Sequence, residues 1–283
     1  MILNNITQAQ QFLPSLNLTL ENNRFHDFFL RAQEWLVSHI IGEDIEDVLE
    51  MDMNVGQEDI HSELRLKCQR VIAEKALLDA IPEMDMQLTE AGFAVQNNQD
   101  FSPASSQRVD RLLAKMPERI ANDIDAIVRF LMKTSTGNGA YGYWRSSDQF
   151  NYLTAAFVPC FEDCNRLATP KANTYEEYYD AIQMMAEMML KVSDYYVSKA
   201  EVERLVGLYR GNLYQPTHAK AIANLSIVAV AAFNHDIGRA RNAAIGARDV
   251  MLEDPDSFPA FKASSAFNSS NINLDGGKMV NFL

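Results

Sequence analysis

The chain has 283 residues, of which 47% are apolar and 22% are charged, and its formal net charge is −13. A chain of this length and composition forms one or two folded domains, and low-complexity disorder is excluded as its main feature. Because the negative charge repels phosphates, sequence-independent binding to nucleic acids is excluded as a main function.

Cysteine usage and apolar stretches indicate the compartment. Three cysteines are too few for a disulfide framework, and the first residues lack the basic start and apolar run of a secretory signal. The longest apolar stretch lies between Ala221 and Phe233, which is too short to span a bilayer and predicts a buried helix. We therefore expect a protein that is made in the cytoplasm, keeps its cysteines reduced and has no membrane partner.

In the first half, apolar residues recur at helical spacing. The predicted helices span 22–41, 58–80 with a stop at Pro82, and a long stretch after Ser102-Pro103 whose stripe runs from Val109 to Leu131. A short acidic turn or helix covers 43–51. We expect a kink or a tight break at Pro117. Between Met84 and Gln96 the period changes to alternation, which predicts a small β-hairpin or an extended arm at 84–96.

The second half is also helical. A glycine- and aromatic-containing stretch, 134–151, marks the boundary, and the predicted helices after it span 153–166, 174–198, 200–209 and 217–252. Thr174 and Glu177 form a capping box. The predicted fold is therefore all-α with the small β-hairpin or arm. The predicted divisions are an N-terminal half (1–136), a loop (137–151), a C-terminal half (152–262) and an extended tail (263–283).

Several motifs contain residue types found in cofactor or metal sites, but each lacks other features that such a site requires. Residues 137–142 match G-x-G-x-x-G, but a helix precedes them where a dinucleotide site needs a strand. Glu58 and His61 form a single E-x-x-H, whereas a di-iron bundle needs two. His235-Asp236 matches the adjacent pair of metal-dependent phosphohydrolases, which need further ligands. We find no catalytic, cofactor-binding or metal site, and a helical metal-dependent hydrolase using His235 and Asp236 remains the main alternative.

Cysteine and methionine clusters have two interpretations each. Cys160 and Cys164 could share a helix face as zinc ligands or simply be buried. The run Met184, Met185, Met188 and Met189 could line a partner groove or pack in the core.

Two segments are candidate interaction surfaces. The first is an aromatic loop with Tyr141, Tyr143, Trp144 and Arg145, residue types typical of interface anchors, although the rings could equally close over the local core. The second is the tail, whose last apolar residues could add a strand to a neighbour, fill its pocket, or fold back on their own domain. These residues are Met279, Val280, Phe282 and Leu283.

One segment carries a family resemblance. It comprises Gln87-Leu88-Thr89-Glu90-Ala91-Gly92-Phe93-Ala94-Val95, then Asn97, then Ser102-Pro103-Ala104-Ser105-Ser106-Gln107-Arg108-Val109-Asp110. It resembles an uncharacterised family of structural proteins of tailed phages and prophages of gut bacteria, which is similar to helical head-to-tail connector (adaptor) proteins. Ile40-Ile41-Gly42 and Asp79-Ala80-Ile81-Pro82 fit the same pattern. The resemblance covers roughly the first half of the chain.

The resemblance implies a function without a catalytic site. We expect a non-enzymatic virion assembly protein that is made in the bacterial cytoplasm and located in the virion. It would form a ring with copies of itself and dock on portal or tail proteins. DNA would pass such an acidic ring without specific binding, because its phosphates are repelled. A cellular helical scaffold unrelated to phages is a further alternative. The resemblance transfers no functional residue to this chain.

Overall fold

The structure is a computed structural model that describes residues 1–13, 22–51, 61–84, 87–89, 92–94, 106–136 and 141–268. It is mainly helical, as predicted. The chain divides into two compact units, unit 1 at 1–149 and unit 2 at 150–283. None of the helices in the described ranges is both long and apolar enough to cross a membrane.

Unit 1 is built around three long helices. Its elements are α1 (Ile6–Ala9), α2 (Asn22–Leu36) with a π-helical extension (Val37–Ile41), α3 (Glu43–Met51), α4 (Ser62–Met84), β1 (Gln87–Thr89), β2 (Gly92–Ala94), α5 (Ser106–Thr134) and a 3-10 helix (Gly142–Ser146). Helix α4 packs against α2 and α5. The apolar stripe of α5 is buried from Met116 to Leu131, and this burial confirms the predicted helical spacing.

The strands β1 and β2 pair antiparallel, with Leu88 opposite Phe93. Residues 85–86, 90–91 and 95–100, which connect and flank the two strands, lie outside the described residues. The hairpin or arm at 84–96 therefore stays a prediction.

Unit 2 surrounds the apolar helix α10. Its elements are α6 (Asp148–Leu153, which begins in unit 1), α7 (Phe161–Leu167), α8 (Tyr175–Tyr196), α9 (Lys199–Arg210), α10 (Pro216–Phe233), α11 (Ile237–Glu253), a 3-10 turn (Pro255–Ser257), α12 (Pro259–Lys262) and α13 (Ser265–Asn268). Helix α10 packs against α8 and α11. The predicted capping box is present in part, because Glu177 N donates to Thr174 Oγ1 over 3.2 Å.

Several predicted boundaries were wrong. Helix α4 continues past Pro82 to Met84. Helix α5 runs through Pro117 without the tight break that was one of two expected outcomes, and the other, a kink, stays a prediction. The predicted helix 153–166 is interrupted between α6 and α7, where Phe157 has a φ of 59° that no α-helix accommodates. The predicted stretch 217–252 is two helices, because His235 has a φ of 58° between α10 and α11.

Two expected irregular segments contain helical turns. The expected loop 137–151 contains the 3-10 helix and the start of α6, while 137–140 lie outside the described residues. The expected extended tail 263–283 begins with α13, and residues 269–283 lie outside the described part of the chain.

Candidate interaction site

The aromatic loop closes over the core of unit 1. Trp144 is 1% exposed, and its Nε1–H donates to the carbonyl oxygen of Ile40 over 2.9 Å. The buried hydroxyl of Tyr141 is hydrogen-bonded to His61 Nδ1 at 2.7 Å. Of the two interpretations of these rings, the structure shows local packing, because both side chains are enclosed by their own unit.

Arg145 is occupied at the end of α5. Its Nε–H donates to the carbonyl oxygen of Ser135 over 3.1 Å, and its Nη2 donates to the carbonyl oxygen of Met132 over 2.8 Å. A cation in this position satisfies the last carbonyls of the helix and complements its dipole. Tyr143 is half-buried; burial, and then the charge of Asp44, raise the pKa of its phenol. This part of the predicted surface therefore stabilises unit 1.

His235 and Asp236 connect α10 to α11. Asp236 Oδ1 accepts a hydrogen bond from the backbone N–H of Arg239 over 3.1 Å and so caps α11. Both side chains are exposed. Across the described ranges, no group of three or more His, Cys, Asp or Glu side chains is placed to hold a metal ion.

The remaining motif residues mostly lie in the core. Cys160 and Cys164 are buried, and Cys164 Sγ lies 3.9 Å from Met185 Sδ. Met189 is also buried, whereas Met184 is exposed. Glu58, residues 137–140 and the tail residues Met279, Val280, Phe282 and Leu283 lie outside the described residues.

Sequence analysis did not predict a charge cluster at the α4–α5 interface, in which one carboxylate is buried. Glu74, whose side chain is 2% exposed, forms an ion pair with Arg119, and Arg70 pairs with Asp123 over 3.4 Å. Burial, and then the negative charge of Asp123, raise the pKa of Glu74 to about 7, although Arg119 opposes this rise. Glu74 Oε2 accepts no hydrogen bond from any residue in the described part of the chain, and in the protonated form it can donate one to Asp123. The cluster therefore holds a proton near neutral pH.

The first turns of α5 also differ from the expectation. The pairs Arg70–Asp123 and Glu74–Arg119 show that α4 and α5 are antiparallel, so the end of α4 at Met84 lies level with about residue 109 of α5. Leu112 is 40% exposed there, and Val109 is half-buried. This apolar start of α5 belongs to the predicted stripe, but little of it is buried among the described residues.

Unit 2 exposes its own apolar side chains between α9 and α10. Leu213 is 70% exposed, and the ring of its neighbour Tyr214 stacks on Tyr209 with centroids 5.7 Å apart. Asn212, with a φ of 54°, turns the chain at this point. Leu213 and Tyr214, which is 38% exposed, therefore present a small apolar surface at this turn.

Part of the chain matches a known protein family. Residues 20–154 match the model of a family described as "Family of unknown function (DUF6712)". No curated protein and no solved structure matches the chain. The matched range covers less than half of the chain, most of it in unit 1, so the similarity concerns that unit.

Proposed function

We propose that the protein is a non-enzymatic virion assembly protein of a tailed phage or prophage. It acts as a head-to-tail connector subunit that forms a ring with its own copies and docks on portal or tail proteins. DNA passes the ring without specific binding. The observation that carries this proposal is the resemblance of residues 87–110 to helical adaptor proteins.

The position of that segment supports the proposal. Residues 87–110 lie within the range that matches the family model, and they join α4 to α5. We infer that residues 84–96 form a β-hairpin arm at this end of the helix pair, in the register that β1 and β2 show. An arm beside an apolar helix start offers a contact to a neighbouring subunit, because added strands and amphipathic helices are recurring elements of such contacts.

The surface chemistry is compatible with assembly. Leu112 in unit 1 and Leu213 in unit 2 are both exposed. A partner that covers an exposed leucine removes apolar surface from water, which stabilises the complex. The net charge of −13 keeps phosphates at a distance. We assign the first subunit contact to the start of α5, because this surface adjoins the segment that carries the resemblance.

Light scattering coupled to size-exclusion chromatography tests the proposal. The purified chain is measured alone over a range of concentrations, and then mixed with the products of neighbouring genes. We expect a ring-sized oligomer, either directly or on addition of a portal or tail protein. Leu112→Asp should abolish the oligomer, because a charge would be buried in the contact. Leu252→Asp is the matched control, since Leu252 is exposed to a similar degree in unit 2.

A chain that stays monomeric with every neighbour would refute the proposal. An oligomer that survives Leu112→Asp but is lost in Leu252→Asp would place the contact elsewhere and refute the assigned surface. Circular dichroism of both variants checks that the helices remain folded.

A further inference from the structure

Unit 2 contains a cavity at one end of α8 and α10. Its volume is about 210 Å³, and its walls include Cys164 of α7, Tyr178 and Met185 of α8, and Val230 and Phe233 of α10. These side chains are mainly apolar. Lys171 and Glu177, both exposed, stand at the rim. The cavity is therefore an apolar pocket with one charge of each sign at its mouth.

The size of the cavity favours a side chain over a metabolite. Small-molecule pockets usually measure about 300–1,000 Å³, so this one is small for a ligand. A single large apolar side chain is the kind of anchor that fills such a pocket in protein contacts. An apolar pocket also offers little to a polar ligand, because burying polar groups without partners is costly.

The chain itself supplies a matching segment. Residues 279–283 read Met-Val-Asn-Phe-Leu and follow a polar linker rich in Ser, Asn and Gly. The charged residues of the linker, Asp275 and Lys278, precede the apolar residues, so both charges can stay at the rim beside Lys171 and Glu177. Phe282 is the largest apolar side chain of this segment.

The linker is long enough to reach the cavity. Helix α13 ends at Asn268 and packs against α8, the helix that also lines the cavity. The ten residues 269–278 can span about 33–36 Å when extended. Helix α8 has 22 residues and is therefore about 33 Å long. Wherever α13 contacts α8, the segment reaches the cavity of its own unit.

We propose that residues 279–283 dock into this cavity of the same chain, with the Phe282 side chain inserted between α8 and α10. Tethering favours docking in the same chain, because a linker that can span the distance makes the encounter intramolecular. The docked segment covers the thiol of Cys164. This inference concerns unit 2 alone and does not depend on the proposed connector function.

Photo-crosslinking of the full chain tests the docking. Phe282→p-benzoylphenylalanine is irradiated in an equimolar mixture of isotopically light and heavy chains, and crosslinked peptides are identified by mass spectrometry. We expect crosslinks within one chain to the peptides that contain Met185 or Val230. The same photoreactive residue at position 271, in the linker, should not reach these peptides with comparable yield.

Two further measurements make the test sharp. Ala181→Trp fills the cavity from α8 and should abolish the crosslinks, since Ala181 lines it. Deletion of 269–283 should accelerate alkylation of Cys164, while alkylation of the buried Cys68 in unit 1 stays unchanged. Crosslinks between chains, crosslinks outside the cavity walls, or an unchanged alkylation rate of Cys164 would each overturn the proposal.

Discussion

Replacement of Glu74 by Gln gives a measurable change in the stability of unit 1. The Glu74 carboxyl is 2% exposed, and burial followed by the charge of Asp123 raises its pKa from 4.5 to about 7. A rise of this size corresponds to about 3 kcal/mol of unfavourable free energy when Glu74 is fully ionised in the folded chain. This pKa already includes the favourable pairing with Arg119.

The direction of the pH effect follows from the raised pKa. Between pH 4.5 and about 7, the folded chain keeps a proton on Glu74 that the unfolded chain releases. The free energy of unfolding therefore falls as the pH rises through this window, and the Glu74 contribution is flat below and above it. Gln carries no titrating proton. The stability of Glu74→Gln relative to the wild type should thus increase by about 3 kcal/mol from about pH 4.5 to about pH 8.

Tryptophan fluorescence during urea unfolding isolates this effect. The two tryptophans of the chain, Trp35 and Trp144, both lie in unit 1, so the signal reports on that unit. Glu63→Gln is the matched control, because Glu63 lies on the same helix with an exposed side chain. A stability difference between Glu74→Gln and wild type that is constant with pH, or that shrinks as pH rises, would refute the reasoning.

Three other substitutions test the packing. Trp144→Phe should destabilise unit 1 by about 2 kcal/mol, because it removes the hydrogen bond to the Ile40 carbonyl oxygen and leaves a void in the core. Urea unfolding followed by circular dichroism measures this, and a loss below about 0.5 kcal/mol would contradict it. Glu201→Gln should destabilise unit 2 by about 3 kcal/mol, because the buried carboxylate accepts hydrogen bonds from Arg204 and from the backbone N–H groups of Ala260 and Phe261. Hydrogen exchange of unit 2 measures the loss, and an unchanged exchange rate would contradict it. Gly207→Ala should stabilise α9 by about 0.5–1 kcal/mol, because beyond its own helix backbone the added Cβ meets no atom of the described residues within 4 Å. Gly246→Ala should stabilise α11 less, since its Cβ would meet Asn224 Oδ1 at 2.9 Å, and equal increases in the thermal unfolding temperature would contradict this comparison.

Helical periodicity predicted most of the long elements, because the 3.6-residue repeat is a local property of the sequence. The stripe of α5 shows why a proline did not end the helix. Met116 and Ile120 lie on either side of Pro117 and are both buried, so packing on each side of the proline holds one continuous helix. Helix ends depend on such tertiary packing, and local signals place them poorly.

The roles of the aromatic loop could not be predicted for a related reason. Trp144 bonds to a carbonyl that is 104 residues away, and Tyr141 bonds to a histidine 80 residues away. Residue type alone cannot distinguish an aromatic side chain that anchors an interface from one that is buried and hydrogen-bonded within its own domain. Both roles use a side chain with an apolar body and a polar tip. Only the hydrogen-bond partners within the unit distinguish the two roles, and the packing of α2, α4 and α5 decides which groups become those partners.

The charge cluster could have been predicted from the spacing of its residues only if the pairing of α4 with α5 had been known. Arg70 and Glu74 are spaced by four, as are Arg119 and Asp123, so each pair lies on one face of its helix. Both pairs run from cation to anion along the chain. When the two helices pack antiparallel, this order places each cation opposite an anion, Arg70 with Asp123 and Arg119 with Glu74. The spacing was readable in the sequence, but the pairing of α4 with α5 had to be known before it indicated a buried carboxylate that keeps its proton near neutral pH.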